Sequence, residues 1–134
     1  DVVFYHTYGD RHDIEDARMG KIDIFSPSQY GVAIENTQHR GYFTEKILDL
    51  FLLKSVPIYW GCTNIGYFFN TDGIIIVNSV DDIIHAIKGL AKNSYDLVFK
   101  KAVEENYQTA KKYADYEQNI VDYITKVFTE NGIL

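Results

Sequence analysis

The sequence holds 134 residues, 46% of them hydrophobic and 24% charged, with a formal net charge of −6. That length and apolar content predict one packed domain of ordinary size and exclude an intrinsically disordered chain. The acidic balance argues against a nucleic-acid backbone as the main partner, because such binding needs a basic footprint.

A single cysteine, Cys62, excludes an intrachain disulfide, and no Cys/His pattern has zinc spacing. These absences lean towards a reducing compartment. The longest apolar run, Ile47 to Leu53, is interrupted by Asp49 and is too short to span a bilayer. No secretory leader is recognised, and the chain starts at Asp1 rather than Met, which raises the expectation of a piece of a longer protein.

In chain order, Asp1–Thr7 (DVVFYHT) predicts a strand entering the core. Tyr8–Gly20 is polar and charged, with glycine near both ends, and reads as a loop with one helical turn. Lys21–Ser28 alternates like a strand until Pro27 breaks it. Tyr30–Ile34 is a short apolar run before a polar loop, hence a buried strand. Thr44 caps a predicted helix starting at Glu45, in which Ile47, Leu50 and Phe51 follow helical spacing. Val56–Trp60 is the next strand, with Pro57 expected near its start or on an exposed edge. Gly61–Thr71 reads as a loop with a short turn through Ile65–Phe69, and Gly73–Val77 as a third buried strand. Asp81 or a neighbour is expected to cap a helix ending near Asn93. Tyr95–Tyr113 and Tyr116–Phe128 carry two further helical patterns.

Continuous apolar strands alternating with amphipathic helices imply parallel strands covered on both faces. The expected fold is a Rossmann-like three-layer α/β domain with a mostly parallel sheet, residues 1–134 forming one unit. Ligands of such sheets bind beyond the carboxyl ends of the strands. There Glu35–Asn36, Trp60–Gly61 and Asn78 should converge with the start of the Glu45 helix.

Lys46 stands out in that group. It lies in the first helical turn, where the positive end of the helix dipole disfavours a cation. A bound anion would resolve the conflict, since backbone N–H groups and the ammonium would hold it together. A diphosphate suits both donors. Glu45 is better placed to accept hydrogen bonds from neutral hydroxyls, while Asn36, Tyr42 and Thr44 offer neutral contacts. The bland alternative is a good cap, a first-turn acid and a solvated lysine. His39 and Arg40 read as solvated loop residues, and Gly41 as a point of backbone freedom. Cys62 reads as a space-filler. The acidic run of Asp13, Glu15 and Asp16 reads as a solvated turn rather than a cation site. No glycine-rich phosphate loop and no H-E-x-x-H motif occurs, which removes the common ATPase and dinucleotide readings.

Three blocks occur in order: Ala33-Ile34-Glu35-Asn36-Thr37, then Tyr42-Phe43-Thr44-Glu45-Lys46, then Val56-Pro57-Ile58-Tyr59-Trp60-Gly61. Together they resemble the donor-binding half of the α-1,3/1,4-fucosyltransferases, most closely the bacterial-type members. The resemblance implies the C-terminal half of a GT-B glycosyltransferase that inverts at the sugar carbon and takes GDP-fucose as donor. It implies catalytic roles for Lys46, neutralising the diphosphate, and for Glu45, holding ribose or fucose hydroxyls. Glu35, Asn36, Tyr42 and Thr44 would complete the donor pocket. No cofactor and no metal would be needed. The acceptor glycan would bind a domain upstream of this chain, which would also carry the general base. Family members use an upstream arginine on the diphosphate, and neither Arg11 nor Arg18 sits in a matching context. The chain by itself is therefore expected to bind donor weakly, to be inactive, and to self-associate through uncovered apolar surface. A cytoplasmic or membrane-peripheral location is implied for a bacterial-type member, and the Golgi membrane for a eukaryotic one. The rival readings are a non-catalytic nucleotide-sugar-binding module and an enzyme of the same fold using another nucleotide sugar.

Overall fold

The computed structural model describes residues 28–91, 93–114 and 125–130. The predicted strand at Asp1–Thr7, the charged loop with its arginines and acidic run, most of Lys21–Ser28 and the greater part of the Tyr116–Phe128 pattern lie outside those residues. Residues 125–130, at the end of that last pattern, are helical.

Strand β1 (Tyr30–Ile34) leads through a polar loop to helix α1 (Glu45–Leu52), which returns to β2 (Val56–Trp60). Two short 3-10 turns, Ile65–Tyr67 and Thr71–Gly73, precede β3 (Ile75–Ile76). Helix α2 (Val80–Gly89) follows, then a π-helical segment, Tyr95–Phe99, runs into α3 (Lys100–Ala114). The strands form a parallel sheet in the order β1-β2-β3. Register runs from Tyr30 opposite Val56 to Ile34 opposite Trp60, and Ile58 and Tyr59 pair with Ile75 and Ile76. Parallel neighbours need a crossover, and α1 supplies it between β1 and β2.

The ends of α1 explain its length. The Thr44 hydroxyl accepts from the Lys46 amide at 3.4 Å and so caps the start. At the other end Lys54 takes a left-handed conformation (φ 56°). Its amide donates to Phe51 O and that of Ser55 to Leu50 O, the double closure of a Schellman turn. Ile47, Leu50 and Phe51 form the buried stripe of α1. They face the sheet on one side and α3 on the other. Phe51 and Phe69 stack at 4.6 Å between centroids, and Phe43 and Tyr113 extend this cluster.

Side chains alternate across a strand. In β1, Gly31 and Ala33 are buried towards α1, whereas Val32 and Ile34 are exposed. Glu35 continues this alternation and falls on the buried face. Its amide extends the ladder by donating to Trp60 O at 3.0 Å.

The observed architecture is α/β with a small parallel sheet. Among the described residues α1 packs on β1 and β2, the central strand β2 is buried throughout except at Trp60, and Val32, Ile34 and Ile76 of the outer strands are exposed. The third strand is shorter than predicted, two residues instead of five, because Thr71–Gly73 coils into a turn capped by Asn70. Ser79, not Asp81, caps α2: its hydroxyl accepts from Asp82 N, and the Asp82 carboxylate accepts from Asn78 N. Helix α2 ends at Gly89 rather than near Asn93. Pro57 sits near the start of the central strand and is fully buried. Val56 N donates towards β1, to Gln29 O, so position 57 faces the other neighbour. Pairing on that side begins only at Ile58, and the missing N–H of Pro57 leaves no gap in the ladder. Among the described residues no helix is long and apolar enough to cross a membrane.

Candidate functional site

The parallel sheet brings residues 35–36, 60–61 and 77–78 to one edge, the carboxyl edge, where the start of α1 also lies. The centre of this edge is Glu35, whose side chain is fully buried. A buried carboxylate is costly unless hydrogen-bonded and paired. Here Thr44 N donates to Oε1 at 2.9 Å and Thr44 Oγ1 donates to Oε2 at 2.7 Å. Lys46 Nζ stands 3.7 Å from Oε2, with its side chain 34% exposed, and makes a long contact of 3.5 Å to Asn36 Oδ1.

The structure thus brings together four of the six predicted site residues: Glu35, Asn36, Thr44 and Lys46. Glu45 is exposed at the first position of α1 and Tyr42 is half-buried in the preceding loop. Among the described residues neither side chain joins the Glu35 cluster. The dipole argument for Lys46 also gains a correction. The unfavourable placement of this cation is partly compensated within the chain, by the Glu35 carboxylate.

Tyr59 is the residue that the sequence reading passed over as a strand position. It is paired with Ala33 in register and is 1% exposed. Burial, foremost, and then the adjacent Glu35 charge push its phenol up to about 12, although a hydrogen bond from the Cys62 amide pulls the other way. That bond, Cys62 N to Tyr59 Oη, is 2.9 Å long. Period-two alternation was the available signal: Ala33, Glu35, Tyr59 and Gly61 all fall on the face that α1 covers. Gly61 fills the place beside Glu35 where the chain leaves β2. A Cβ there would lie 2.4 Å from Glu35 Cγ and 2.6 Å from Tyr59 Oη.

The loop between β1 and α1 is fastened to the segment after β2. Gly41, with φ 75°, donates its amide to Asn64 Oδ1 at 2.7 Å. Cys62 Sγ donates to the same oxygen at 3.2 Å. The Arg40 guanidinium lies over the Tyr67 ring, 5.6 Å from its centroid. Arg40 and Gly41 therefore fix the loop, and Cys62 is a buried thiol within that fastening. His39 Nδ1 contacts Arg40 O. Asn78 is exposed at the same edge, its amide bound by Asp82.

Among the described residues this edge presents the partly exposed ammonium of Lys46 on a base of buried hydrogen bonds. Such an arrangement can bind an anionic group without reorganising. Among the described residues no three His, Cys, Asp or Glu side chains converge as a metal site.

The sequence profile for glycosyltransferase family 10 (fucosyltransferase), C-term, matches residues 3–98. An alpha-(1,3)-fucosyltransferase of Helicobacter pylori is 35% identical over 86 residues, covering 60% of this chain and 18% of that protein. A putative fucosyltransferase of Acanthamoeba polyphaga mimivirus is 28% identical over 117 residues, 84% of this chain and 19% of its own length. The 4-galactosyl-N-acetylglucosaminide 3-alpha-L-fucosyltransferase 9 of Bos taurus is 30% identical over 94 residues, 66% of this chain and 26% of its own. No solved structure matches. The chain spans about a fifth to a quarter of the length of these relatives. The matched region contains the whole carboxyl edge of the sheet and α1, and the chain belongs to glycosyltransferase family 10, the fucosyltransferases, in their C-terminal part.

Proposed function

We propose that this chain is the donor-binding part of an inverting fucosyltransferase of GT-B type, and that the carboxyl edge of its sheet receives the diphosphate of GDP-fucose. The observation that carries this reading is Lys46: a partly exposed ammonium at the N-terminus of α1, held between Glu35 and Asn36 at the ligand-binding edge of a parallel sheet. In the transfer, an acceptor hydroxyl attacks the sugar carbon and the bond to the diphosphate breaks, its electron pair leaving with GDP. Charge accumulates on the departing phosphate oxygens, and Lys46 stabilises it there without needing a metal. Glu45, exposed beside Lys46, accepts hydrogen bonds from ribose or fucose hydroxyls. Tyr42 and Asn36 line the approach. The acceptor glycan and the base that takes its proton belong to a region outside this chain.

Calorimetric titration with GDP, GDP-fucose, GDP-mannose and UDP-sugars, with and without a chelator, tests this. GDP-type ligands bind, chelation leaves binding unchanged, and Lys46→Ala weakens it by about 1–3 kcal/mol, the scale of a hydrogen bond to a charged group. Equal affinity for UDP- and GDP-sugars points instead to another donor. An unchanged affinity in Lys46→Ala removes the assignment of the diphosphate to this edge. Transfer by the full-length protein separates the enzyme from a non-catalytic binding module.

A further inference from the structure

The polar loop between β1 and α1 reverses at His39–Tyr42, where Tyr42 N donates to His39 O at 3.3 Å. Gly41, third of these four residues, has φ 75°, whereas φ of Arg40 before it is not positive. Together these features define a type II turn, which differs from type I by a flip of its central peptide. That peptide joins Arg40 to Gly41, and it is held at both ends. Its carbonyl, Arg40 O, accepts from His39 Nδ1 at 2.9 Å, and Nδ1 carries the hydrogen because a carbonyl oxygen only accepts. Its N–H, on Gly41, donates to Asn64 Oδ1 at 2.7 Å, from 23 positions away in the chain.

Asn64 forgoes a local role to make this bond. It stands at the N-cap of the 3-10 turn Ile65–Tyr67, where an Asn oxygen ordinarily accepts from the first turn that follows. Asn70 does so before the next turn, accepting from Asp72 N at 3.0 Å. The Asn64 side chain makes no capping bond. Its oxygen takes Gly41 N and the Cys62 thiol instead. A local preference left unmet is a mark of a functional position.

The residue held in place by these contacts is Tyr42. Asn64 fixes the peptide before it, and the turn bond engages its own amide. After it, Phe43 packs against Phe68, Phe69 and Tyr113, with ring centroids 5.0, 5.5 and 5.5 Å away. Its backbone is thus fixed on both sides, while Tyr42 itself stays half-buried.

We propose that Asn64 is a positioning residue of the donor site: its side-chain oxygen locks the central peptide of the His39–Tyr42 turn and so fixes Tyr42 against the ligand. The inference rests on the donor-site reading above and adds to it a residue, from the segment after β2, that does not touch ligand.

The test is a double-mutant cycle on the full chain, with Asn64→Leu, Tyr42→Ala and the pair, read as GDP-fucose affinity by calorimetry. Amide hydrogen exchange by NMR reports the turn at Gly41 and the sheet at Val77, whose amide donates to Tyr59 O. Asn64→Leu is expected to speed exchange at Gly41, leave Val77 protected and weaken GDP-fucose binding about tenfold, the scale of one hydrogen bond. Tyr42→Ala weakens binding as well, and Asn64→Leu adds no further loss in that background. Unchanged affinity in either single variant, losses that add, or slow exchange persisting at Gly41 in Asn64→Leu overturns the positioning role while the donor-site reading stands. No GDP-fucose binding by the unsubstituted chain overturns that reading, and the positioning role with it. Should Asn64→Leu not fold, Asn64→Ala enters the same cycle, and the same additivity would sink the proposal.

Discussion

Thr44 makes three hydrogen bonds with two polar atoms. Its amide donates to Glu35 Oε1, its hydroxyl donates to Glu35 Oε2, and the same hydroxyl accepts from Lys46 N. One residue thus caps α1 and orients the buried acid. Valine at this position keeps the shape and removes the oxygen, so the first turn loses its cap and Glu35 loses a donor. Thr44→Val is expected to lower stability by about 1–3 kcal/mol in urea denaturation, cap and buried-partner losses together. Thr44→Ser restores both bonds and stays close to the unsubstituted protein. A Ser variant as unstable as Val would mean that packing of the methyl group, not the hydroxyl, holds the turn.

At the scale of elements, α3 is joined to the turn before β3 by Asn106, which is 1% exposed. Its Oδ1 accepts from Asn70 N at 2.7 Å and its Nδ2 donates to Asn70 O at 2.9 Å. Asn106→Ala leaves the Asn70 amide without its acceptor, while Asn70 O keeps its bond from Gly73 N, and a loss of about 1–3 kcal/mol is expected on thermal or chemical unfolding, the cost of one unsatisfied buried group. Asn106→Asp keeps only the acceptor and should fall between. This clamp also shows why part of the fold escaped the sequence. The bounds of α1 were legible, because Thr44 and the spacing of Ile47, Leu50 and Phe51 are local signals. The run Gly73–Val77 was legible as apolar and buried, but the Asn106 clamp arrives from 36 positions along the chain and holds its start in a turn. The site was legible in its residues rather than in its wiring. Glu35 looked like a loop ligand because it is charged, although the alternation of Gly31 and Ala33 already placed it on the covered face. Lys46 was read as uncompensated because its partner lies across the loop.

For the molecule as a whole, several tyrosines set the alkaline limit. Tyr59 is pushed up to about 12, and Tyr30 and Tyr95 are raised above their ordinary 10.0, in each case chiefly by burial. Above pH 10 the unfolded chain has given up these phenolic protons while the folded chain keeps them. The folded state then binds more protons, so stability falls as pH rises, from about pH 10 to about pH 12 for Tyr59. Melting temperature followed against pH should fall across that window. Tyr59→Phe should flatten the upper part of the fall, and an identical slope in that variant would mean that other groups govern it. Near neutrality all three phenols are protonated in both states, and this contribution vanishes.

The contact at Gly61 bears on how such a sequence can change. The glycine, the Glu35 methylene and the Tyr59 oxygen occupy space that excludes even one added carbon. A side chain can enter at 61 only if the acid and the phenol both give way in the same step, and moving the acid disturbs Thr44 and Lys46. The three positions form an epistatic unit: a methyl group at 61 would lie 2.4 and 2.9 Å from Glu35 carbons and 2.6 Å from the Tyr59 oxygen, so Gly61→Ala requires compensating changes at 35 and 59 together. A combinatorial library at these positions would recover such combinations and almost no isolated substitutions at 61.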